Sequence, residues 1–199
     1  MLVLVRHGET EGNAARQLLG RAESPLTERG RADAVALGGA LGPVSRLVCS
    51  PLGRARLTAE ALGLDLPVEV DDRWIEVDYG ELEGRALAAV PPELWWRWRA
   101  DPGFAPSGGE SLAHVGARVR DACAELFAVA GQGARADADV VVVSHVSPIK
   151  AAVAWALGVG DAVVWRLYLA TASITRIGWG ADGPVLHRYN ETVPPMRSP

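Results

Sequence analysis

Lysine is almost missing from this chain: Lys150 is the only one, and every other basic side chain apart from four histidines is arginine. An arginine here is a weaker sign of special chemistry than usual, because arginine has taken over ordinary surface duty. Each one must be argued from position. Cysteine is nearly as scarce. Cys49 and Cys123 are widely spaced in apolar contexts, so buried free thiols in a reducing cytoplasm are expected, not a zinc site or redox pair. Apolar residues make up 49% of the chain, yet no uncharged apolar run reaches roughly 18 residues, so no membrane-spanning helix is expected. The apolar run before Arg6, Leu2–Val5, is only four residues long, with no positive segment before it, so no secretory leader is expected either. The net charge of −4, without a Lys/Arg cluster, argues against nucleic-acid binding. Dense metal-ligand spacing, a Gly-rich Walker loop and a nucleophilic cysteine beside backbone amides are all missing. No cofactor or metal is expected.

What is present begins at once. The apolar run Leu2–Val5 has the length and composition of a strand buried on both faces. It stops at Arg6-His7-Gly8, which delivers a guanidinium and an imidazole to the carboxyl edge of a sheet, where open α/β sheets put their ligands. Gly8 permits a tight turn and a close approach. Arginine matches phosphate or carboxylate with paired donors, and histidine serves as base, acid or nucleophile.

The rest of the 199 residues reads as one domain, residues 1–199, large enough for a three-layer core. It has no internal repeat. Thr27 is a good N-cap for a helix running to about Leu41, with Ala32, Val35, Ala36 and Ala40 as its apolar stripe. A second strand, Ser45–Cys49, leads into Ser50-Pro51-Leu52-Gly53-Arg54, where Ser50 caps a helix, Pro51 takes its first position and Arg54 its first turn. Pro67–Val70 is a third short strand. Arg73–Gly84 suggests an ordered loop, and an inserted cap at about 85–110 carries Trp95, Trp96 and Trp98, read as packing residues. A helix spans Glu110–Val129, with Arg118, Arg120 and Glu125 off its apolar side. Gly131–Ala138 is a flexible connection. Asp139–Val143 is another buried strand, ending in Ser144-His145, after which Ser147-Pro148 caps and opens a helix to about Leu157. Val163–Ala170, Ser173–Trp179 and Val185–Tyr189 are expected strands, and a flexible tail begins at about Glu191.

Three apolar strands thus end in Arg6-His7, in Ser50 to Arg54 and in Ser144-His145. In a parallel sheet those ends share one edge. Two arginines and two histidines there make a field that requires an anion. Phosphoryl transfer asks mainly for positioning and charge neutralisation, and a histidine can be its nucleophile. The reading left is metal-free transfer through a phosphohistidine.

Five blocks in order carry a resemblance: Arg6-His7-Gly8-Glu9-Thr10, Ser50-Pro51-Leu52-Gly53-Arg54-Ala55, Glu76 with Tyr79-Gly80-Glu81, Gly109-Glu110-Ser111, and Ser144-His145. Together they resemble the histidine phosphatase superfamily, also called phosphoglycerate mutase-like, over nearly the whole chain. The resemblance implies a three-layer α/β/α sandwich with a mostly parallel central sheet and a small helical cap. It also implies that His7 is the phosphorylated nucleophile, that Arg6, Arg54 and His145 bind the phosphoryl oxygens, and that Asn13 assists. Glu76 matches the family's proton donor, with Asp78, Glu81 and Glu83 as competing candidates. His114 and His187 are read as ordinary histidines. Val146 stands where family members often have glycine, although the amides at that helix start still suit phosphate.

Gln17, Arg21, Arg85 and Trp95 are expected to shape the leaving-group pocket. The expected activity is hydrolysis of a phosphomonoester from a small phosphorylated metabolite, in the cytoplasm, with a homodimer in keeping with the resemblance. The alternatives are a phosphoglycerate-type mutase, disfavoured here by the short chain and proline-rich end, and a non-catalytic phosphate-binding module.

Overall fold

The computed structural model describes residues 1–130 and 138–193. Six strands, β1 (Leu2–Arg6), β2 (Val44–Cys49), β3 (Val68–Val70), β4 (Asp139–Ser144), β5 (Ser173–Gly180) and β6 (Gly183–Thr192), form one sheet in the order β3-β2-β4-β1-β5-β6. The pairings from β3 through β1 are parallel, and β5 and β6 add antiparallel on the far side of β1. The expected α/β architecture with a mostly parallel core sheet is the one observed. Six helices accompany it among the described residues: α1 (Glu11–Ala14), α2 (Glu28–Gly38), α3 (Gly53–Ala61), α4 (Pro92–Ala100), α5 (Leu112–Ala130) and α6 (Val146–Leu157).

β1 is the central strand because its residues satisfy both faces. Leu2 and Leu4 join the core beneath α5 and α6, with Val115, Val119 and Ile149, while Val3 and Val5 pack with Leu37, Ala55 and Leu62 of the α2–α3 layer. All four are fully buried, each worth about 1.5–3 kcal/mol. Register then fixes the strand ends. Arg6 pairs with Ser144, and Cys49 with Val143. The His7 amide donates to the Ser144 carbonyl at 3.0 Å, and the Ser50 amide to the Val143 carbonyl at 3.0 Å. The three chain segments therefore leave the sheet level with one another.

Several local expectations are corrected. Thr27 does cap α2, accepting the Gly30 amide at 2.9 Å, but the helix ends at Gly38. Its buried residues are Gly30, Ala34, Ala36 and Leu37, while Val35 is 52% exposed. The reason is a backbone-to-backbone contact: a Cβ on Gly8 would collide with the Gly30 carbonyl, and one on Gly30 with the Glu9 carbonyl. The face that carries Gly30, with Ala34 and Leu37, is therefore the one turned inward. Helix α3 starts at Gly53 and α6 at Val146. Ser50 and Ser147 are thus not side-chain caps, and the Gly53 amide instead donates to the Glu23 carboxylate at 3.1 Å. Val163–Ala170 is no strand; a 3₁₀ turn, Asp161–Arg166, occupies its first half and sends Trp165 into the cap. Glu191 and Thr192 complete β6. The rest of the expected tail from 194 and nearly all of the expected connection at 131–138 lie outside the described residues.

The cap closes over this edge. Trp98 is 1% exposed and packs with Leu18, Leu82, Val90 and Val164, joined by Trp95 and Trp165, whereas Trp96 is 64% exposed and takes no part.

Candidate active site

His7 leaves β1 buried, and its Nδ1 lies 2.7 Å from the Gly8 carbonyl oxygen. A carbonyl only accepts, so Nδ1 carries the hydrogen and Nε2 keeps its lone pair. Burial, reinforced by Arg6 and Arg54, holds the imidazole pKa well below its ordinary value. A neutral ring with a bare Nε2 is the nucleophilic form.

The His145 ring centroid lies 5.0 Å from that of His7. Its Nε2 is 2.7 Å from Ser50 Oγ, which also accepts the Leu52 amide at 3.4 Å. With the Ser50 hydroxyl hydrogen assigned to Nε2, the ring N–H is on Nδ1. That Nδ1 is buried without a partner. Burial first, then His7, Arg54 and Arg6, keep this ring's pKa well below its usual value too.

Arg6 donates from Nη1 to the Leu169 carbonyl at 2.7 Å. Burial lowers its pKa to about 10, opposed by Glu76. Arg54, 1% exposed, comes from the first turn of α3 and donates Nη1 to the Ala22 carbonyl at 2.9 Å and Nη2 to the Gly20 carbonyl. Burial lowers its pKa as well. The Nε atoms of Arg6 and Arg54 and Nδ1 of His145 are three of the seven buried side-chain polar atoms left unpartnered among the described residues. Native interiors seldom leave such donors unmet.

Glu76 faces them, 3% exposed. Its Oε1 accepts the Val77 and Ser147 amides at 2.8 and 3.1 Å, and Oε2 accepts the Val146 amide at 3.0 Å. The carboxylate therefore sits on the N-terminus of α6, where a negative charge is favoured. The Val146 amide, expected to face the anion, is directed at Glu76. The competing carboxylates are engaged elsewhere: Asp78 accepts the Gly80 amide at 2.8 Å, Glu83 accepts the Gly20 amide at 2.7 Å, and Glu81 lines a separate hollow.

A cleft of about 510 Å³ opens on Arg6, His7 and Glu76, lined also by Asn13, Gln17, Trp95 and Val146 and by Tyr79, Trp165, Tyr168 and Leu169, whereas the buried Arg54 and His145 are not in its lining. Asn13 is held there by a reciprocal cap with Thr10, each side chain accepting the other's amide at 3.2 Å. Gln17 and Trp95 line the cleft as expected, but two other expected residues do not. Arg21 turns away to Asp78 and Glu110, at 3.4 and 3.2 Å. Arg85 lines a second hollow of about 460 Å³ with Arg97 and Phe104.

Sequence reasoning missed Ser50 as the partner of His145, because its position suggested a cap. It missed Arg118, which donates to the Arg73 carbonyl at 2.6 Å, the Glu76 carbonyl at 3.4 Å and the Glu110 carboxylate at 2.9 Å; it reads as a surface arginine. It missed Trp165, Tyr168 and Leu169 through the strand expected there. His114 is 70% exposed beside Glu110, and His187 is exposed. Cys49 and Cys123 are buried and unpaired, with burial pushing the Cys49 thiol up to about 12. Among the described residues, no three His, Cys, Asp or Glu side chains are grouped to hold a metal ion, and no helix is long and apolar enough to cross a membrane.

A neutral imidazole with a free Nε2, two guanidiniums with unmet donors and one buried carboxylate, gathered at the carboxyl edge of a parallel sheet, are the groups that an anion-binding, group-transfer site on an α/β fold requires. The comparisons with known proteins narrow this class. The chain belongs to the histidine phosphatase superfamily (branch 1), whose model matches residues 2–192. A bifunctional protein of Mycobacterium tuberculosis (strain ATCC 25618 / H37Rv) is 40% identical over 190 residues, which cover 92% of this chain and 51% of that one. The chain therefore spans about half the length of the first curated relatives it matches. A protein named Probable phosphoglycerate mutase GpmB, of Salmonella paratyphi B, is 35% identical over 199 residues, covering 92% of this chain and 89% of that protein. Among solved structures, a mycobacterial glucosyl-3-phosphoglycerate phosphatase complexed with VO3 superposes with a TM-score of 0.86 at 36% identity, covering 96% of this chain and 98% of that one. The family thus includes relatives named as phosphatases and relatives named as mutases.

Proposed function

We propose that this chain is a metal-independent phosphomonoester hydrolase that works through a phosphohistidine on His7. In the first step His7 Nε2 attacks phosphorus, the ester P–O bond breaks, and the leaving oxygen takes a proton from Glu76. In the second, water gives a proton to Glu76 and attacks phosphorus, the P–N bond breaks, and orthophosphate departs with His7 restored. Arg6, Arg54 and the Nδ1–H of His145 hold the phosphoryl oxygens throughout, with Asn13 at the cleft wall. Such electrostatic positioning is the main demand of phosphoryl transfer.

The observation that carries this reading is the His7 tautomer, fixed by the 2.7 Å contact with the Gly8 carbonyl. It frees Nε2 in the same cleft as Arg6 and Glu76. The substrate is a small phosphorylated metabolite, in keeping with relatives named for glucosyl-3-phosphoglycerate and alpha-ribazole. His7→Ala tests the mechanism: hydrolysis of small phosphate esters is expected to vanish, and near wild-type turnover overturns it.

The likeness to the protein named as a phosphoglycerate mutase supports a second reading, in which the phosphohistidine returns its group to another hydroxyl. Mixing with a phosphoglycerate and its bisphosphate separates the two. Phosphate release faster than isomer formation is expected of the hydrolase, and the reverse of the mutase.

A further inference from the structure

Arg54 does not hold itself in place. Both of its terminal nitrogens donate to carbonyls of one short loop, those of Gly20 and Ala22. The amides of the same loop point at a single carboxylate. Glu83 accepts the Gly20 amide at 2.7 Å, the Arg21 amide at 3.2 Å and the Ala22 amide at 3.2 Å. One peptide, Gly20–Arg21, lies directly between the two charges, its N–H on the Glu83 carboxylate and its C=O on the Arg54 guanidinium. Hydrogen bonds in series of this kind polarise and strengthen one another.

The loop is also fastened to the segment that carries Glu83. The Gly84 amide donates to the Leu18 carbonyl at 2.8 Å, and the Leu18 amide to the Arg85 carbonyl at 2.7 Å. Gly20 is required at the crossing point, since a Cβ there would come within 2.5 Å of the Val77 carbonyl oxygen and 2.7 Å of a Glu83 carboxylate oxygen. Glu83 contributes charge as well as shape. Burial acts to strip Arg54 of its proton, and Glu83 is among the three carboxylates that oppose it, with Glu76 and Glu23. Glu76 also lines the cleft, and Glu23 accepts the Gly53 amide at the start of α3. Of the three, only Glu83 grips the Gly20–Arg21 peptide that also holds the guanidinium.

We infer that Glu83 is a positioning residue for the phosphoryl-binding Arg54, acting through the Gly20–Ala22 peptides without touching the substrate. The inference rests on the reading of Arg54 as a phosphoryl ligand, and not on the phosphohistidine step. A guanidinium whose support is lost turns or tilts, and misplacement by about 1 Å costs on the order of 10²-fold in rate.

The test is a double-mutant cycle of Glu83→Gln with Arg54→Lys, read by the dissociation constant of orthovanadate and by kcat and KM for one phosphate ester. Glutamine has one acceptor oxygen where three amides converge, so at least one amide loses its partner. Glu83→Gln alone is expected to weaken vanadate binding and lower kcat/KM by about 10- to 100-fold. In the Arg54→Lys background the same change is expected to cost less than about 3-fold, because the group it positions is already gone. Glu83→Asp, which keeps the charge, restores part of the loss. If Glu83→Gln proves poorly folded, the cycle run with Glu83→Asp decides instead. Losses that multiply across the cycle, or vanadate affinity unchanged in the soluble single variant, overturn the inference. Failure of the phosphohistidine reading is seen separately, as an unphosphorylated His7 with the vanadate cycle intact.

Discussion

Replacing Glu76 by glutamine separates the two roles assigned to that carboxylate from its role in the fold. The carboxylate accepts the Val77 and Ser147 amides through one oxygen and the Val146 amide, at 3.0 Å, through the other. A glutamine that keeps its carbonyl on the first pair turns its NH2 group toward the Val146 N–H, so one buried donor loses its acceptor. That costs about 1–3 kcal/mol of stability, or roughly 2–12 °C in Tm for a chain of this size. The catalytic loss is larger. Removing a general acid costs about 10²–10⁴ in rate, equivalent to about 2.7–5.5 kcal/mol.

The assay compares two esters. An alkyl phosphate needs a proton on its departing oxygen, so the first step suffers the whole loss. An aryl phosphate with a stable phenolate leaving group does not need it, so its first step stays close to wild type. Its second step still lacks the base that activates water. Stopped-flow mixing of Glu76→Gln with a nitrophenyl phosphate is therefore expected to give a burst of one phenolate per site, followed by slow turnover. Equal losses for alkyl and aryl esters with no burst refute Glu76 as acid and base. A loss below about 10-fold on the alkyl ester moves the role to another carboxylate.

Ser50→Ala removes the partner that sets the His145 tautomer, 2.7 Å from Nε2; the net loss of about 0.5–1.5 kcal/mol predicts a 2- to 13-fold fall in kcat/KM, and an unchanged value contradicts the assignment. Gly8→Ala drives a methyl group into the Gly30 carbonyl, so urea unfolding is expected to show at least about 1–3 kcal/mol of destabilisation. Stability also depends on pH through His7 and His145, whose folded pKa values are both depressed. Below the ordinary value near 6.5 the unfolded chain takes up protons that the folded chain resists, so stability is full above that pH and falls as pH drops, by up to about 1.4 kcal/mol per pH unit for each ring. Urea midpoints at successive pH values check the slope, which His145→Gln is expected to halve.

The parts of the site that sequence made legible are those that single strands carry to an edge. Arg6-His7 and Ser144-His145 each follow an unbroken apolar run of four residues rich in valine, a length and composition that suit a buried parallel strand. Their meeting follows from topology, in the Arg6–Ser144 register. What was not legible depends on contacts between distant segments. Ser50 and His145 are 95 residues apart, and no local pattern distinguishes a serine that caps a helix from one that orients a ring. The inward face of α2 was misjudged because its position is decided by glycine at the Gly8–Gly30 contact, which turns Gly30, Ala34 and Leu37 inward and leaves Val35 outside. Val163–Ala170 has strand composition, but the cap needs Trp165, and tertiary packing overrode β propensity there. The pocket walls fared worst. An arginine-rich surface offers many guanidiniums, and only coordinates show that Arg21 meets Asp78 and Glu110 while Arg85 faces another hollow.

The covalent intermediate on His7 is the most direct test. Wild-type protein mixed with a labelled phosphate ester, quenched in alkali after milliseconds and digested, is expected to yield one acid-labile, alkali-stable phosphopeptide that contains His7. The label should be lost in His7→Ala and, with an aryl ester as donor, should accumulate in Glu76→Gln. Turnover without any phosphohistidine, or a label that maps to His145 or to a carboxylate, contradicts the account.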